Sequence, residues 1–454
     1  MKRSNQFTTL IVVMWVVFAC STVFFADDAC AEDPATSNAE PVAARGILPV
    51  PDYSGSLFER SHLLGDPGGH RSALANKGVT FDIDYNQYFQ SVVDGGRETT
   101  SRYGGTIDYN LNIDLDRMGV VPGGLIQMRA VSRYGHSVNK YAGSLTPVNL
   151  DATHSTSADD EIDIALPAIN YTQFLSKKLA LSVGKFVTFD QPNEFSGGNG
   201  RSQFWNLTLA APVTPALTVP YSVLGGAVTL VPVPDLTVIL MAATSTDTSN
   251  NSGFDYLDDG KFGLFKVIYQ YELGELPGGF CNQLGYGWDN EFVKVNSRLI
   301  LESGGLSPTT ENSTWFNSFD LWQYLWVEKQ SDQKVNVNDG RQDLEGIGIF
   351  SRIQHADKQT NPIDYMISFG VSAKGLIPDR DNDVLGIGYN YTKRQKLRLA
   401  SRVGAEDSAS AWELFYNIEV TPAIHWTLDA QVIDAGIQDM DTAVVLGTSL
   451  QMRF

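Results

Sequence analysis

From Thr80 to the last residue the chain alternates with period two. Phe81, Ile83, Tyr85 and Phe89 alternate with Asp82, Asp84 and Asn86, and Ile107, Tyr109, Leu111, Ile113 and Leu115 alternate with Asp108, Asn110, Asn112, Asp114 and Asp116. Successive side chains of an extended chain point to opposite faces, so each run predicts a strand with one apolar and one polar face. The second run says more than the first. Every position on its polar face is Asp or Asn, and such a face needs water or a dense set of partners. A water-filled lumen would supply it. The last stretch, DTAVVLGTSLQMRF, repeats the pattern: Val444, Leu446, Thr448, Leu450, Met452 and Phe454 share one face, and Val445, Gly447, Ser449, Gln451 and Arg453 the other.

Similar segments recur at roughly 125–134, 163–175, 179–188, 217–231, 236–244, 262–273, 292–302, 318–328, 344–354, 363–373, 384–391, 412–421, 424–433 and 443–454, which with the first two makes sixteen. Leaving the first strand, the connections run long (93–104), short (117–124), long (135–162), very short (176–178), long (189–216) and very short (232–235). The alternation loosens at 274–291 and 329–343, which are long for turns, and returns at Thr421-Pro422-Ala423. Outer-membrane barrels have short turns on the periplasmic side, longer loops outside and an even strand number. Aromatic residues near strand ends, such as Trp412 and Trp426, suit interface girdles. The expected fold is therefore all-β, a sixteen-stranded antiparallel transmembrane β-barrel over 80–454. One short helix is expected before it, over 67–77, with Asp66 as N-cap, Pro67 at the first helical position and Gly78 as the stop.

The N-terminus sets the compartment. Lys2 and Arg3 precede an apolar run over 7–25, and Ala29-Cys30-Ala31 offers a small-x-small cleavage site, so 1–31 reads as a secretory signal peptide. Lipoprotein processing at Cys20 competes, but Phe18 fits a lipobox poorly. Removal of 1–31 takes Cys20 and Cys30 and leaves Cys281, so the exported chain is stable without an internal disulfide. Residues 32–60 are rich in Pro, Ala, Ser and acidic groups and read as a leader, so 32–79 holds the leader and the short helix. The formal net charge is −19, which argues against nucleic acid as a partner. After residue 31 no apolar run reaches the length of a membrane-spanning helix.

Four stretches in order carry a resemblance: LLGDPGGHRSALANKGVTFDIDY, LALSVGKFVTFDQPNEFSGGNGRSQFWN, KGLIPDRDNDVLGIGYNY and DTAVVLGTSLQMRF. The chain resembles the carbohydrate-selective porin family of Gram-negative outer membranes, the group that includes the glucose porins. It departs from that pattern at Pro67, where the family often carries an aromatic residue. The resemblance implies an outer-membrane channel through which glucose-like sugars diffuse passively, with outer-membrane lipid around it. It also implies that Phe454 is read by the barrel assembly machinery as an insertion signal, and analogy with sixteen-stranded porins suggests a homotrimer.

A diffusive channel needs no nucleophile, metal or cofactor. The sequence has no G-x-S-x-G, H-E-x-x-H or P-loop pattern, and its six His have no ligand-like spacing. Selectivity in a pore comes from its diameter and from the charged and hydrogen-bonding groups at its constriction. By analogy with porins, the third outside loop, DQPNEFSGGNGRSQFWN, folds inward; it carries Glu194, Arg201, Gln203, Phe204 and Trp205. On the wall, Gln127, Arg129 and Arg133 lie beside Asp108 and Asp114. The expected constriction sets Arg129 and Arg201 against Glu194, Asp108 and Asp114, with Trp205 as a stacking platform for the sugar face. The competing reading is that Glu194 and Arg201 only pin the loop to the wall.

Asp320, Trp322, Tyr324, Trp326 and Glu328 share one face of the tenth strand and point either to the lumen or to a girdle; Lys185 and Arg380 read as structural. The acidic run Asp159 to Asp163 reads as a solvated loop. Other classes remain open at this point: a general or cation-preferring pore favoured by the acidity, a barrel hydrolase, or a glycan-binding sandwich.

Overall fold

A computed structural model describes residues 46–153, 164–188, 193–297, 299–302, 305–328, 343–395, 404 and 406–454. The segment read as a signal peptide, residues 32–45 of the leader and the acidic run at 159–163 lie outside the described residues. The first strands are β1 (Val79–Asp94), β2 (Thr100–Asp114), β3 (Gly124–Gly135), β4 (Ile164–Ser176), β5 (Leu179–Val187), β6 (Ser222–Val233), β7 (Leu236–Thr244), β8 (Lys261–Leu273) and β9 (Leu276–Val293). A separate hairpin of β10 (Leu299–Glu302) and β11 (Gly305–Pro308) follows. The series continues with β12 (Thr310–Val327), β13 (Gly346–Ala356), β14 (Ile363–Lys374), β15 (Val384–Arg394), β16 (Ser408–Thr421), β17 (Ile424–Asp434) and β18 (Ala443–Arg453). Outside the hairpin, each strand pairs antiparallel with the next and β18 pairs with β1, so sixteen strands close one barrel. Closure leaves no unpaired strand edge, the condition for a sheet to stand in hydrocarbon.

The alternation sorts side chains as expected. Phe81, Phe89 and Tyr103 are half-exposed on the outer wall, while Asn86, Gln90, Thr106 and Asp108 are buried on the inner one. Trp412, near the outer end of β16, and Trp426, near the periplasmic end of β17, both point outward, as girdle residues do. The connections 177–178, 234–235, 274–275 and 422–423 are tight and fall at one end, whereas the strand ends at Gly135 and Ile164, Val187 and Ser222, and Thr244 and Lys261 lie at the other.

The ninth barrel strand is not where the sequence pattern placed it. The segment read as a connection, 274–291, is mostly β9, and 292–302 is divided between the end of β9 and β10. The inner face of β9 carries Gly279, Cys281, Gln283, Gly285 and Gly287 against Phe280, Leu284 and Tyr286 on the outer one, so the strand alternates small with large residues, and its glycine content resembles a turn. The glycines are there to accept neighbours: a Cβ on Gly285 would sit 2.1 Å from the Phe316 ring. The following barrel strand, β12, starts at Thr310 rather than 318 because its outer end is polar.

The expected helix begins as a 3-10 turn (Pro67–Gly69) and becomes α1 (His70–Asn76). Gly69, not Asp66, is the N-cap of α1, because Gly68 and Gly69 take positive φ and break the first turn. The Asp66 carboxylate still accepts the N–H groups of Arg71 (2.9 Å) and Ser72 (3.3 Å), so it satisfies helix-end donors from outside the helix.

This helix ties down the barrel seam. The last residue pairs with β1 through Phe454 N–H to Ile83 O, 2.8 Å. The Arg71 guanidinium donates to a Phe454 carbonyl oxygen (2.8 Å) and to Asp82 (2.5 Å), and lies 4.1 Å over the Tyr53 ring. His62 faces Asp82 at 3.3 Å and meets Tyr53 edge-on. Burial, with Asp82 adding to it, pushes the Tyr53 hydroxyl up to about 12, so the ring stays neutral at physiological pH. Further along, Ile47 and Leu48 N–H groups donate to Asp114 and Arg117 donates to Leu48 O, so the segment after residue 46 is fastened to both β1 and β2.

A charge-assisted hydrogen bond contributes about 1.5–3 kcal/mol. Arg71→Ala should therefore lower the temperature at which the folded band converts to the unfolded one in gel-shift electrophoresis, while single-channel conductance stays as in the parent.

Candidate functional site

The long connection between β5 and β6, described from Asn193 onward, turns into the barrel. Gly197, Gly198 and Gly200 take φ of +81°, +83° and +73°, a bend that side-chain-bearing residues rarely adopt. Asn206 then caps the short helix α2 (Leu207–Ala210), its side chain accepting the Thr208 N–H at 3.1 Å, and α3 (Val213–Ala216) leads back to β6.

Arg201, at the inner turn of this loop, is 4% exposed. It donates through Nε to Asp151 (2.6 Å), through Nη1 to Asp108 (2.5 Å) and through Nη2 to the Thr106 hydroxyl (3.2 Å). Asp108 also accepts from Arg129, 2.9 Å. Asp151 is completed by Asn86 (2.8 Å) and Thr106 (2.7 Å). Among the described residues, two guanidinium groups and two carboxylates thus pair on the wall of β1 to β3. Asp151 belongs to the preceding outside loop, which also turns inward: Asn149 donates to Gln90, and Gln431 reaches back to Val148 O.

The other side of the loop is held with equal density. Glu413 accepts the backbone N–H groups of Trp205 (2.5 Å) and Asn206 (3.1 Å), and Gln354 that of Thr214 (2.8 Å). Ser368 and Ser372 donate to the carbonyls of Thr208 and Phe195 at 2.6 and 2.7 Å. Arg352, ion-paired with Asp320, donates to Leu209 O at 3.2 Å. Phe204 packs edge-on to Phe350 and Phe415, with ring centroids 5.4 and 4.8 Å away. Small inward residues make room for these contacts. A Cβ on Gly447 would lie 2.5 Å from the Trp205 ring, and one on Gly388 would lie 2.9 Å from Leu209.

Of the six residues expected at a constriction, the structure brings three together: Asp108, Arg129 and Arg201. Trp205 joins them through its indole N–H, which donates to Arg201 O at 3.1 Å, but at 1% exposure its ring is enclosed and offers no face to a solute. Glu194 lies elsewhere on the loop, exposed, accepting from the Tyr324 hydroxyl at 2.9 Å. Asp114 is six residues along β2 from Asp108, about 20 Å away, and is occupied by the leader. The expected opposition of Arg201 to Glu194 is not formed; Asp108 and Asp151 take its place.

Asp320 and Tyr324 of β12 point inward. A register shift between Tyr324 and Trp326 turns Trp326 out to 46% exposure, so the aromatic row does not share one face. Lys185 points outward and donates to Leu166 and Asn251 carbonyls, fastening the 245–260 loop to the outer wall. Arg380 forks onto Asp383 at 2.9 and 2.7 Å in a periplasmic turn.

Asp151, Arg352, Glu413 and the inward glycines were not singled out from the sequence. Only the alternation of Glu413 with Trp412 and Leu414 marked it as inward, and nothing local marked its partner.

The loop covers the inner wall from β12 round to β2, where Gln354, Ser368, Asn390, Glu413, Thr427 and Gln431 are all buried. The inner faces of β5 to β8 are different. Ser182, Ala227, Thr229, Ile239, Leu264, Lys266 and Ile268 are half-exposed, so the described part of the loop leaves this wall bare. A closed sixteen-stranded barrel with tight turns at one end and an inward-folded third loop at the other is an outer-membrane porin.

Comparison with known proteins gives the family. Residues 98–454 match the carbohydrate-selective porin, OprB family. Porin B of Pseudomonas aeruginosa is 24% identical over 435 residues, covering 86% of this chain and 91% of that protein. Among solved structures, the high-pH structure of Pseudomonas putida OprB has a TM-score of 0.73 at 19% identity, covering 88% of this chain and 100% of that one. The low-pH structure of the same protein has a TM-score of 0.55 at 17% identity, covering 87% and 99%. The chain belongs to the carbohydrate-selective porin family and is an outer-membrane carbohydrate channel.

Removing one member of a buried ion pair costs about 3–5 kcal/mol. Arg201→Ala should release the loop from β1 to β3, raising single-channel conductance and its noise in planar bilayers while the folded band persists on gels. Gly447→Leu should produce the same loosening from the opposite side, by collision with Trp205.

Proposed function

We propose that the channel passes neutral, glucose-like sugars by passive diffusion through a crescent between the inward loop and the bare wall of β5 to β8. The observation that carries this is the double fastening of the loop, by Arg201 on one wall and by Arg352 and Glu413 on the other. It narrows the lumen and leaves the passage to the bare wall. In this reading Asp108, Arg129 and Arg201 position the loop that forms the constriction, Trp205 holds the loop from behind, and Glu194 presents a hydrogen-bonding group from the loop's exposed end. Asp114 serves the periplasmic mouth.

A cation-preferring pore is less well supported. The chain is acidic overall, but the inward carboxylates Asp108, Asp151, Asp320 and Glu413 are each occupied by a guanidinium or by backbone N–H groups. These four carboxylates are therefore not left to face a passing ion.

The reading also takes the channel to be a homotrimer, to be checked by cross-linking in native membranes, and Phe454 to act as a signal for the assembly machinery. Deleting Phe454 should impair surface assembly far more than it alters the conductance of channels that do insert.

The central test is sugar block in planar bilayers. Glucose in the millimolar range should reduce single-channel current saturably, and proteoliposomes should swell faster in glucose than in a disaccharide of similar chemistry. Current that glucose leaves unchanged at high concentration would sink the selective reading in favour of a general pore.

A further inference from the structure

The bare wall is almost without charge. The inner faces of β5 to β9 are built from Ala180, Ser182 and Gly184; Gly225, Ala227 and Thr229; Thr237, Ile239 and Met241; Leu264, Lys266, Ile268 and Gln270; and Gly279, Cys281 and Gln283. Their inward sense follows from register. They share faces with the buried Val223, Ala243, Phe262 and Phe316, while Leu240, Phe265 and Leu284 on the alternate positions are exposed to the outside. Between the periplasmic rim, where Glu272 stands, and the outer end of β9, where Asp289 and Glu291 stand, Lys266 is the one charged side chain on this surface among the described residues.

Lys266 differs from the other inward cations. Arg129 and Arg201 are tied to Asp108, and Arg352 to Asp320. The cross-strand neighbours of Lys266 are Ile239 and Gln283, and it makes no ion pair among the described residues. Asp320, the nearest inward carboxylate along this side, is already committed to Arg352. The lysine stem lies on an aliphatic surface and its ammonium has three donors for the lumen.

We propose that Lys266 is a specificity-determining residue of the passage: its ammonium donates to the hydroxyls of a sugar whose C–H face slides over Ile239, Leu264 and Ile268. A pyranose has an apolar face and a hydroxyl rim, and this wall offers a match to both. A smooth aliphatic surface does not hold the solute, and one mobile donor binds it weakly enough for release. Because the ammonium makes no ion pair among the described residues, it also sets the ionic preference of the passage against cations, where overall acidity would favour them. A sugar carrying a carboxylate should be held more tightly than the neutral sugar of the same ring.

This rests on the sugar-selective reading, and the experiment separates the two. Full-length protein is reconstituted in planar bilayers as the parent, Lys266→Gln, Lys266→Met and Lys266→Glu, with Lys261→Met as a control at the exposed outer end of β8. Folding is checked by gel shift and by conductance. The glucose and glucuronate concentrations that halve the current are measured, together with the reversal potential in a KCl gradient.

Lys266→Met should raise the half-blocking glucose concentration about 3- to 10-fold and abolish the advantage of glucuronate. Lys266→Gln should fall between it and the parent, and Lys266→Glu should shift the reversal potential toward cations. The Lys261→Met control should match the parent. If the parent shows no saturable block, the sugar-selective reading falls and the donor role of Lys266 with it. A parent that is blocked, with Lys266→Met and Lys266→Gln blocked equally well, overturns the proposal alone, as does an unchanged reversal potential in Lys266→Glu. Should Lys266→Met fail to fold, the Gln and Glu variants decide.

Discussion

Buried charge needs a partner, and in this barrel that constraint settles where the loop goes. The Arg201 guanidinium is charged at any physiological pH and sits where water is excluded, so it is tolerable only with carboxylates at hydrogen-bonding distance. Asp108 from β2 and Asp151 from the second outside loop meet that need, and Arg129 balances the surplus negative charge. The cluster holds two loops and two strands in one arrangement. On the far wall the solution is mostly neutral. Serine, glutamine and glutamate side chains bond the loop backbone directly, so the backbone groups of a segment that is neither strand nor long helix are satisfied inside the barrel.

From this follows a division of the inner wall. From β12 round to β2 it is a packed interior, with Phe204 wedged between Phe350 and Phe415 and glycines where the loop comes closest. From β5 to β8 it is a smooth surface left to water. A solute therefore meets two unlike sides, a polar loop edge on one and an aliphatic wall with one cation on the other. That asymmetry suits a molecule with an apolar face and a polar rim better than it suits an ion, whose hydration shell gains nothing from isoleucine.

The seam between first and last strand has its own device. Backbone pairing between Ile83 and Phe454 closes the barrel, and the chain just upstream returns to cover the join with Arg71, His62 and Tyr53 around Asp82. Residues read as leader, from 46 to 60, are fastened along the periplasmic end rather than left free, because Asp114 and Asp82 bind their backbone and side chains.

Much of the barrel was legible in the sequence because its rule is local. Lipid on one side and water or polar partners on the other force a period of two on each strand, and Ile107 to Asp116 announces it with no other information. The rule was masked at β9, where glycines that receive the Phe316 and Phe262 rings made an alternating strand resemble a turn, and it failed at Trp326, where a register shift reversed the facing. At the site, Arg201, Arg129 and Asp108 were legible because charged residues on an inward loop and inward faces must find one another. Asp151, Arg352 and Glu413 were not, since their partners lie far along the chain and nothing nearby signals them. Alternation and composition by themselves determined a membrane barrel with a polar interior. Which half of that interior the loop fills, and so which wall is left bare, was decided only by tertiary contacts, because burying a long loop requires partners for its polar groups, and only closing the barrel brings those partners within reach.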